Sequence, residues 1–232
     1  MDKHFVDAEK LSHELEQSSD LISIGTLCLI GGEPLLHPDL ADVVEACANS
    51  GISKHVRVVT NGLPVSRITG DVWKNVDEVY VSLYGQAKLS EEKIQLFREI
   101  AEENQIALRV ASYPQFRETF SQNPSADEAL TERVFKACEV AHNWKCYTLD
   151  EGILYLCPQS LFIPRVQPEV KTEGVSLLDP KTTPQQIRDF LSRDTPLDAC
   201  KHCLGSAGSL FSHTLTTIEK IGFNCPHHST AI

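Results

Sequence analysis

The residues best suited to binding a ligand are two glycines and a glutamate near the start of the chain. An apolar run up to Ile30 is followed directly by Gly31, Gly32 and Glu33. Glycine has no Cβ, so a ligand can approach the main chain closely there. Ligands of α/β sheets and barrels bind at the carboxyl ends of strands. The tip of this predicted strand is therefore a candidate site; the alternative for two glycines alone is a tight strand-to-helix turn.

Polar side chains at the later predicted strands could complete this site. Asn61 follows the second strand, while Ser82 lies near the end of the third and Arg109 in the fourth. Together with Glu33 they supply hydrogen-bond acceptors, donors and a cation. The ammonium and carboxylate groups of an amino acid moiety require that mixture. Two alternatives stay open: Asn61 is a turn residue, and Arg109 belongs to a salt bridge.

A second candidate site comes from the cysteines, of which the chain has eight. Cys28 and Cys47 lie in apolar segments and are expected in the core. In a reducing compartment, cysteines more often bind metal or stay buried than form disulfides. Six crowd the second half of the chain, namely Cys138, Cys146, Cys157, Cys200, Cys203 and Cys225.

A predicted hairpin, residues 146–157, positions two of these thiols. With Glu151-Gly152 as its loop, Cys146 lies directly opposite Cys157, and opposed Cβ atoms are about 5 Å apart. A Cys-x2-Cys segment follows later and supplies two more ligands. The predicted four-thiolate set is Cys146, Cys157, Cys200 and Cys203, with Cys138 as the reserve ligand.

The identity of the metal stays open, because four thiolates suit zinc as well as an iron–sulfur cluster. Near the end of the chain, Cys225, His227 and His228 could form a further ligand patch. A frayed terminus is the favoured interpretation of that segment.

Composition and charge limit the function classes. The chain has 232 residues, 41% hydrophobic and 23% charged, with a formal net charge of −11. The acidic balance excludes a general nucleic-acid binder, which needs a basic surface. The sequence contains no run long enough to span a bilayer and no signal-peptide core. We therefore expect a cytoplasmic protein that does not act on a membrane.

The first half alternates predicted strands and helices. The strands cover residues 22–30, 56–60, 78–84 and 107–111, and the helices between them include 39–50 and 90–103. This alternation is typical of βαβ units and predicts a parallel sheet of the α/β class. The pattern does not distinguish a doubly wound sheet from a partial barrel.

The second half loses this alternation. Ser125 to Glu128 fit a capping box for a helix that runs to about residue 140, after an irregular segment at 115–124. The proline-spaced residues 158–182 are expected to be extended loop. Thr183-Pro184 opens a helix that ends near Arg193.

The run Gly-Gly-Glu-Pro-Leu-Leu-His-Pro-Asp-Leu, from Gly31 to Leu40, resembles the motif after the second strand of radical S-adenosylmethionine (radical SAM) enzymes. The resemblance extends over about residues 20–115. It implies a partial (β/α) TIM-like barrel that lacks its first strand. It also implies that Gly31, Gly32 and Glu33 hold the amino group of S-adenosylmethionine, while the following strand tips contact its methionine and ribose parts.

The cysteine spacing is similar to that of the SPASM and twitch extensions of the same family. The matching elements are Cys138, then Gly152 with four residues between it and Cys157, then the Cys-x2-Cys pair. The resemblance implies an auxiliary [4Fe–4S] cluster, with Cys138 as the first ligand and Cys146 as a neighbour. No cysteine occurs from 204 to 224, so one cluster, as in twitch, is expected. Relatives with such extensions modify peptides or oxidise small alcohols, and use flavodoxin or ferredoxin as electron donor.

One family motif is missing. Radical SAM enzymes carry Cys-x3-Cys-x2-Cys after the first strand, for the primary [4Fe–4S] cluster at which the cofactor is cleaved, and this sequence has no such triplet. We expect either that the start of the sequence is truncated or that the chain is a homologue without the radical reaction. The match of the strand-tip residues to the family motif favours truncation. The 232 residues alone are therefore expected to be inactive and to yield no 5′-deoxyadenosine.

The sequence thus predicts a partial radical SAM barrel over residues 1–125 and a small α+β, cysteine-rich auxiliary-cluster region over 126–232. The predicted function is a radical SAM-type enzyme, or part of one, with an unknown peptide or small-molecule substrate. The alternative is a non-catalytic barrel remnant that uses a structural four-cysteine zinc site and acts as a binding module.

Overall fold

A computed structural model describes residues 5–85 and 89–212 of the chain. Its first half is built on a four-stranded sheet in which neighbouring strands follow the chain order and all run parallel. This confirms the α/β class and the parallel sheet. Four strands are half of a full (β/α) barrel, so no barrel is shown. The strands are β1 (Leu27–Leu29), β2 (Val56–Thr60), β3 (Glu78–Tyr84) and β4 (Ala107–Tyr113).

The hydrophobic core of this half lies on one face of the sheet. The helices α1 (Ala8–Ser19), α2 (Leu40–Asn49) and α3 (Glu91–Asn104) supply its outer layer. Alternate strand residues such as Val58, Val79 and Val81 are buried beneath these helices, together with Trp73 and Phe97. Side chains alternate between the faces of a strand, so the intervening residues point the other way.

That other side of the sheet, which we call the open face, carries polar and aromatic side chains. Arg109 and Tyr113 on it are exposed, and Tyr80 is half-buried. Parallel sheets are usually covered on both faces by apolar layers. A polar, partly exposed face is therefore suited to binding. Its residues include Cys28, Arg57, Glu78, Tyr80, Ser82, Arg109 and Tyr113.

The second half is a mixed α+β region with its own small cores. One of them is built from Phe135, Ala141, Leu156 and Leu197. A salt bridge of 3.0 Å from Lys10 to Glu151 joins this region to α1. Its helices are α4 (Glu128–Lys136), α5 (Glu139–His142), α6 (Pro158–Val166) and α7 (Pro184–Leu191), and its strands are β5 (Gln115–Arg117), β6 (Thr148–Asp150), β7 (Ile153–Tyr155), β8 (Val175–Ser176) and β9 (Leu210–Ser212).

The predicted hairpin is present with the predicted register, but it is short. Asp150 pairs with Ile153 across the Glu151-Gly152 turn, and the ladder ends at Thr148 and Tyr155. Beyond that point Lys145 takes a left-handed conformation (φ 50°) that turns the chain away. The two cysteines that were expected to lie opposite each other are therefore outside the paired strands.

Several other boundaries differ from the sequence-based expectation. A bend at Gly25 restricts β1 to three residues, fewer than the predicted nine. The residues from Pro158 form helix α6, not loop, because proline is well tolerated in a first helical turn and Cys157 and Ser160 close a capping box. Asp127, not Ser125, caps α4.

The segment predicted to be irregular after β4 contains β5, which pairs antiparallel with β9. Their partnership joins segments that are far apart in the chain, so no local pattern indicates it. No helix in the described residues has the length and apolarity needed to cross a membrane.

A charged cluster at the amino ends of the strands makes stability depend on pH. Glu78 is 11% exposed and accepts hydrogen bonds from Arg57 (2.6 Å) and His55 (3.0 Å). Burial alone would raise the pKa of Glu78, but these hydrogen bonds and charges outweigh it and place the pKa below the ordinary value of 4.5. A carboxyl whose pKa is lowered by folding stabilises the native state above its unfolded pKa.

We therefore expect the free energy of unfolding to decline as the pH falls below about 4.5 and through the lower folded pKa of Glu78. Urea titrations from neutral pH to about pH 3 measure this decline, which should be shallower in Glu78→Gln. Glu45→Gln on the exposed side of α2 is the control and should keep the wild-type profile. An unchanged profile in Glu78→Gln would contradict the assignment.

Candidate functional site

The tip of β1 has a bare and open main chain. Gly31 and Gly32 have φ values of 125° and 52°, a region that side chains disfavour. A Cβ built on either glycine meets no atom within 4 Å, so the space beside them is empty. The two glycines thus allow a turn and leave room for a ligand against the backbone, as the sequence predicts.

Glu33 connects this tip to the tip of β2. Its carboxylate accepts hydrogen bonds from the Thr60 hydroxyl (2.5 Å), the Asn61 main-chain N–H (2.7 Å) and the Leu35 main-chain N–H (3.0 Å). Glu33 and Asn61 therefore lie at one rim. Because three donors already occupy the carboxylate, Glu33 acts as a positioning residue that holds the two strand tips together.

Asn61 closes a turn at the same rim. Its Oδ1 accepts a hydrogen bond of 2.9 Å from the main-chain N–H of Leu63. The next residue, Gly62, has a φ of 75°, and a Cβ there would lie 2.5 Å from Leu89. The side-chain oxygen of Asn61 therefore serves the turn, as the turn interpretation expects. The main-chain N–H of Asn61 contacts Glu33, so the residue also lies at the candidate site.

The strand register places Ser82 and Arg109 on different rows of the open face. Thr60 pairs with Val81 at the end of the β2–β3 ladder, so Asn61 and Ser82 each come one residue after that last pair, and Ser82 is 4% exposed. Arg109 pairs with Tyr80, one row further from the tips, and its guanidinium lies 5.3 Å from the Tyr80 ring centre. Arg109 has no ion pair within the described residues, so the salt-bridge alternative finds no support there.

Four of the five predicted cysteine ligands line one cavity of about 30 Å³ in the second half of the chain. Two of them begin helices: Cys138 precedes α5 and Cys157 precedes α6. The other two lie in and directly after a 3₁₀ helix, Asp198–His202. The four are Cys138, Cys157, Cys200 and Cys203, and the rest of the cavity wall is mainly apolar.

Burial and main-chain donors determine the electrostatics of these thiols. Burial raises the pKa of Cys200 to about 12 and that of Cys203 to about 11, and it raises the pKa of Cys157 as well. Two sulfurs accept main-chain hydrogen bonds, Cys203 from Gly205 at 3.3 Å and Cys157 from Ser160. Such donors favour the thiolate, which is the form that binds metal.

The four thiols share a cavity without forming a finished metal cage. Three or more metal-ligating side chains in a coordinating arrangement are not found among residues 5–85 and 89–212. Small side-chain movements would have to accompany metal binding. Such coupling of binding and local ordering is common, because metal sites are seldom preformed.

Cys146 lies outside this cavity. The residue is exposed to solvent. The pKa of Cys146 is raised, mainly by partial desolvation of its sulfur and secondarily by the nearby Cys28 sulfur. Because the hairpin ladder ends before Cys146 and Lys145 turns the chain, Cys138 takes the place that the sequence-based set gave to Cys146.

The remaining cysteines differ from each other. Cys47 is 1% exposed in the core, as predicted. Cys28 was expected in the core as well but is exposed on the open face, 3.9 Å from Arg57, because strand alternation turns it away from the helices. Cys225, His227 and His228 lie outside the described residues.

Some residues of the site were missed at the sequence level. Thr60 donates to Glu33, and only its position before Asn61-Gly62 could have indicated this. Tyr80, Tyr84 and Tyr113 share the open face with Arg109. The even spacing of Tyr80 and Tyr84 along the predicted third strand could have indicated a shared face, since alternate residues of a strand point to the same side.

Comparison with protein-family models and with curated proteins found no match to this chain.

Proposed function

We propose that these residues carry the S-adenosylmethionine-binding strand tips and the auxiliary-cluster site of a radical SAM-type enzyme. The observation that carries the proposal is the shared cavity of Cys138, Cys157, Cys200 and Cys203. These thiols come from three separate segments. Their meeting in one apolar cavity is what a four-thiolate centre needs.

The cofactor part of the proposal is supported by the strand tips. The open space beside Gly31 and Gly32 would let an ammonium group reach their main-chain oxygens, next to the Glu33 carboxylate. Asn61 and Ser82 lie next along the same rim. We leave Arg109 out of this set, since the register places it one row away, beside Tyr80.

Within this proposal β1 to β4 correspond to the second to fifth strands of a partial (β/α) barrel. When bound at its primary cluster, S-adenosylmethionine supplies radical chemistry in this family. The residues of this chain would orient the methionine end of the cofactor and hold the auxiliary cluster away from water. The substrate, a peptide or a small molecule, and the electron donor remain unassigned, and the protein is expected in the cytoplasm.

The second candidate function is a binding module with a structural zinc ion. The small volume of the cavity, about 30 Å³, favours it, because one ion needs less room than a four-iron cluster. Four thiolates in a closed tetrahedral arrangement are typical of structural zinc.

Metal analysis distinguishes the two functions. The chain is purified without oxygen and reconstituted with ferrous iron and sulfide, or loaded with zinc alone. An auxiliary cluster predicts about four iron and four sulfide per chain and visible absorbance from iron–sulfur charge transfer. One tightly held zinc per chain, with no iron retained after desalting, would support the binding module and overturn the cluster.

A further inference from the structure

A continuous row of aromatic rings runs along the open face and beyond it. The Tyr80 and Tyr113 hydroxyls are 2.5 Å apart, and the rings of Tyr84 and Tyr113 are 6.1 Å apart. The ring of Phe116 on β5 lies 5.2 Å from that of Tyr84 and 6.0 Å from that of Phe211 on β9. We call these five residues the aromatic row. Tyr113, Phe116 and Phe211 are each at least 40% exposed, so the row is open to solvent.

Arg109 lies at one end of this row. Its guanidinium is 5.3 Å from the Tyr80 ring centre, and the residue is exposed. It has no carboxylate partner anywhere in the described part of the chain. The other arginine on the open face, Arg57, is bound to Glu78 at 2.6 Å. The Arg109 guanidinium is therefore available to pair with an anion from outside the described residues.

The hydroxyls of Tyr80 and Tyr113, which are hydrogen-bonded to each other, add one further donor near the positive charge of Arg109. The hydrogen bond with Tyr80, together with burial, raises the pKa of Tyr113 to about 12, while the charge of Arg109 acts in the opposite direction. Tyr80 is in contact with both of the other residues, through its hydroxyl with Tyr113 and through its ring with Arg109. The bond between the two hydroxyls uses one of their two protons, so one hydroxyl of the pair can still donate to an anion.

We propose that Arg109, Tyr80 and Tyr113 bind the carboxylate of an aromatic acid whose ring packs against Tyr84 and Phe116. A planar guanidinium matches a carboxylate in a bidentate manner, and aromatic rings pack well in offset or edge-on contact. Tyr80 links the groups, because its ring centre is 5.3 Å from the Arg109 guanidinium and its hydroxyl is 2.5 Å from that of Tyr113.

A purely apolar ligand fits this surface less well. It would cover the Arg109 guanidinium without supplying a partner for its charge, and burying an unpaired charged group is costly. A simple anion without a ring would leave the exposed aromatic surface uncovered. The combination of charge and aromatic rings therefore indicates a ligand that carries both.

Binding of benzoate tests this inference by ligand-observed NMR titration of the complete chain. Benzamide keeps the ring but not the charge, and acetate keeps the charge but not the ring. We expect saturable benzoate binding below about 20 mM, and binding of the other two at least roughly tenfold weaker. Neither metal nor S-adenosylmethionine takes part, so the result is independent of the proposed function.

Variants assign the contact. Arg109→Gln is expected to weaken benzoate binding at least about tenfold. Arg109→Lys keeps the charge but not the planar guanidinium, and it should weaken binding by less. The double variant Tyr80→Phe, Tyr113→Phe should weaken it about threefold. The matched control Arg98→Gln removes an exposed arginine on α3 that pairs with Glu91, and it should bind as wild type does.

Three outcomes would overturn the inference. They are a lack of saturable benzoate binding to wild type, benzamide binding as tight as that of benzoate, and equal benzoate affinity in Arg109→Gln and Arg98→Gln. Circular dichroism melts of each variant confirm that a lost signal reports the contact and not unfolding. If Arg109→Gln does not fold, Arg109→Lys and the tyrosine double variant decide the result.

Discussion

Replacing Cys138 by serine is expected to abolish tight metal binding, whereas replacing Cys146 by serine should leave it unchanged. Cys138 lines the cavity with Cys157, Cys200 and Cys203, while Cys146 lies outside it, near Cys28. Removing a residue that only hydrogen-bonds a metal ligand lowers metal affinity roughly 10- to 100-fold. Removing a ligand itself should therefore lower metal affinity about a hundredfold or more.

The same change should lower the stability of the metal-loaded protein. A hundredfold loss of affinity corresponds to about 2.7 kcal/mol at saturating metal, or roughly 5–10 °C in Tm for a chain of this size. Metal content after desalting and melting curves with and without chelator measure both effects. Cys157→Ser and Cys200→Ser should behave as Cys138→Ser does.

Cys146→Ser is the matched control, because it changes a cysteine of the same region that the cavity excludes. Metal loss in Cys146→Ser, with full retention in Cys138→Ser, would show that the originally expected ligand set is right and that the cavity is not the metal site. If every variant retained as much metal as wild type, the metal would not be bound by these thiolates.

The second large effect is expected at Glu33. Replacing Glu33 by alanine leaves the Thr60 hydroxyl and two main-chain N–H groups without their acceptor. Hydrogen bonds to a charged group contribute about 1.5–3 kcal/mol each, and solvent can replace part of this at a half-buried rim. We therefore expect a loss of about 3 kcal/mol in the free energy of unfolding, measured by urea titration.

A double-mutant cycle isolates the contact between Glu33 and Thr60. Thr60→Val removes the hydroxyl, and the two changes together should cost less than their sum by about 1–2 kcal/mol. Asp39→Asn is the control, since its side chain makes no capping hydrogen bond to α2, and it should alter stability by less than about 0.5 kcal/mol. A Glu33→Ala effect as small as that of Asp39→Asn would disprove the role of Glu33 as a positioning residue.

The parallel sheet could be predicted because its signals are local. The strands β2 and β3 have the predicted bounds, and β4 begins at the predicted residue. The capping box of α7 at Thr183 and Gln186 is also as expected. In each case residues within one turn or one strand decide the conformation, so neighbouring sequence is sufficient information.

The cysteine set shows where that information ends. The register of the hairpin followed from its turn, and the prediction was right about Glu151-Gly152. The length of the hairpin did not follow from its turn, because the ladder ends at Thr148 and Tyr155 and Lys145 just before it is left-handed. Extending an ideal ladder by two residues placed Cys146 opposite Cys157, whereas the structure places Cys138 at the cavity of Cys157 instead.

The sequence was sufficient to predict the parallel α/β sheet, the bare glycine tip at Gly31-Gly32 and the concentration of cysteines in the second half. The tertiary structure alone decided that Glu33 turns toward Thr60, which of the two alternatives Cys138 and Cys146 lines the cavity, and that Arg109 lies against Tyr80. The physical reason is the separation along the chain of the residues that interact. Backbone preferences act over a few residues, whereas these contacts join side chains from different elements, whose meeting depends on how whole faces pack.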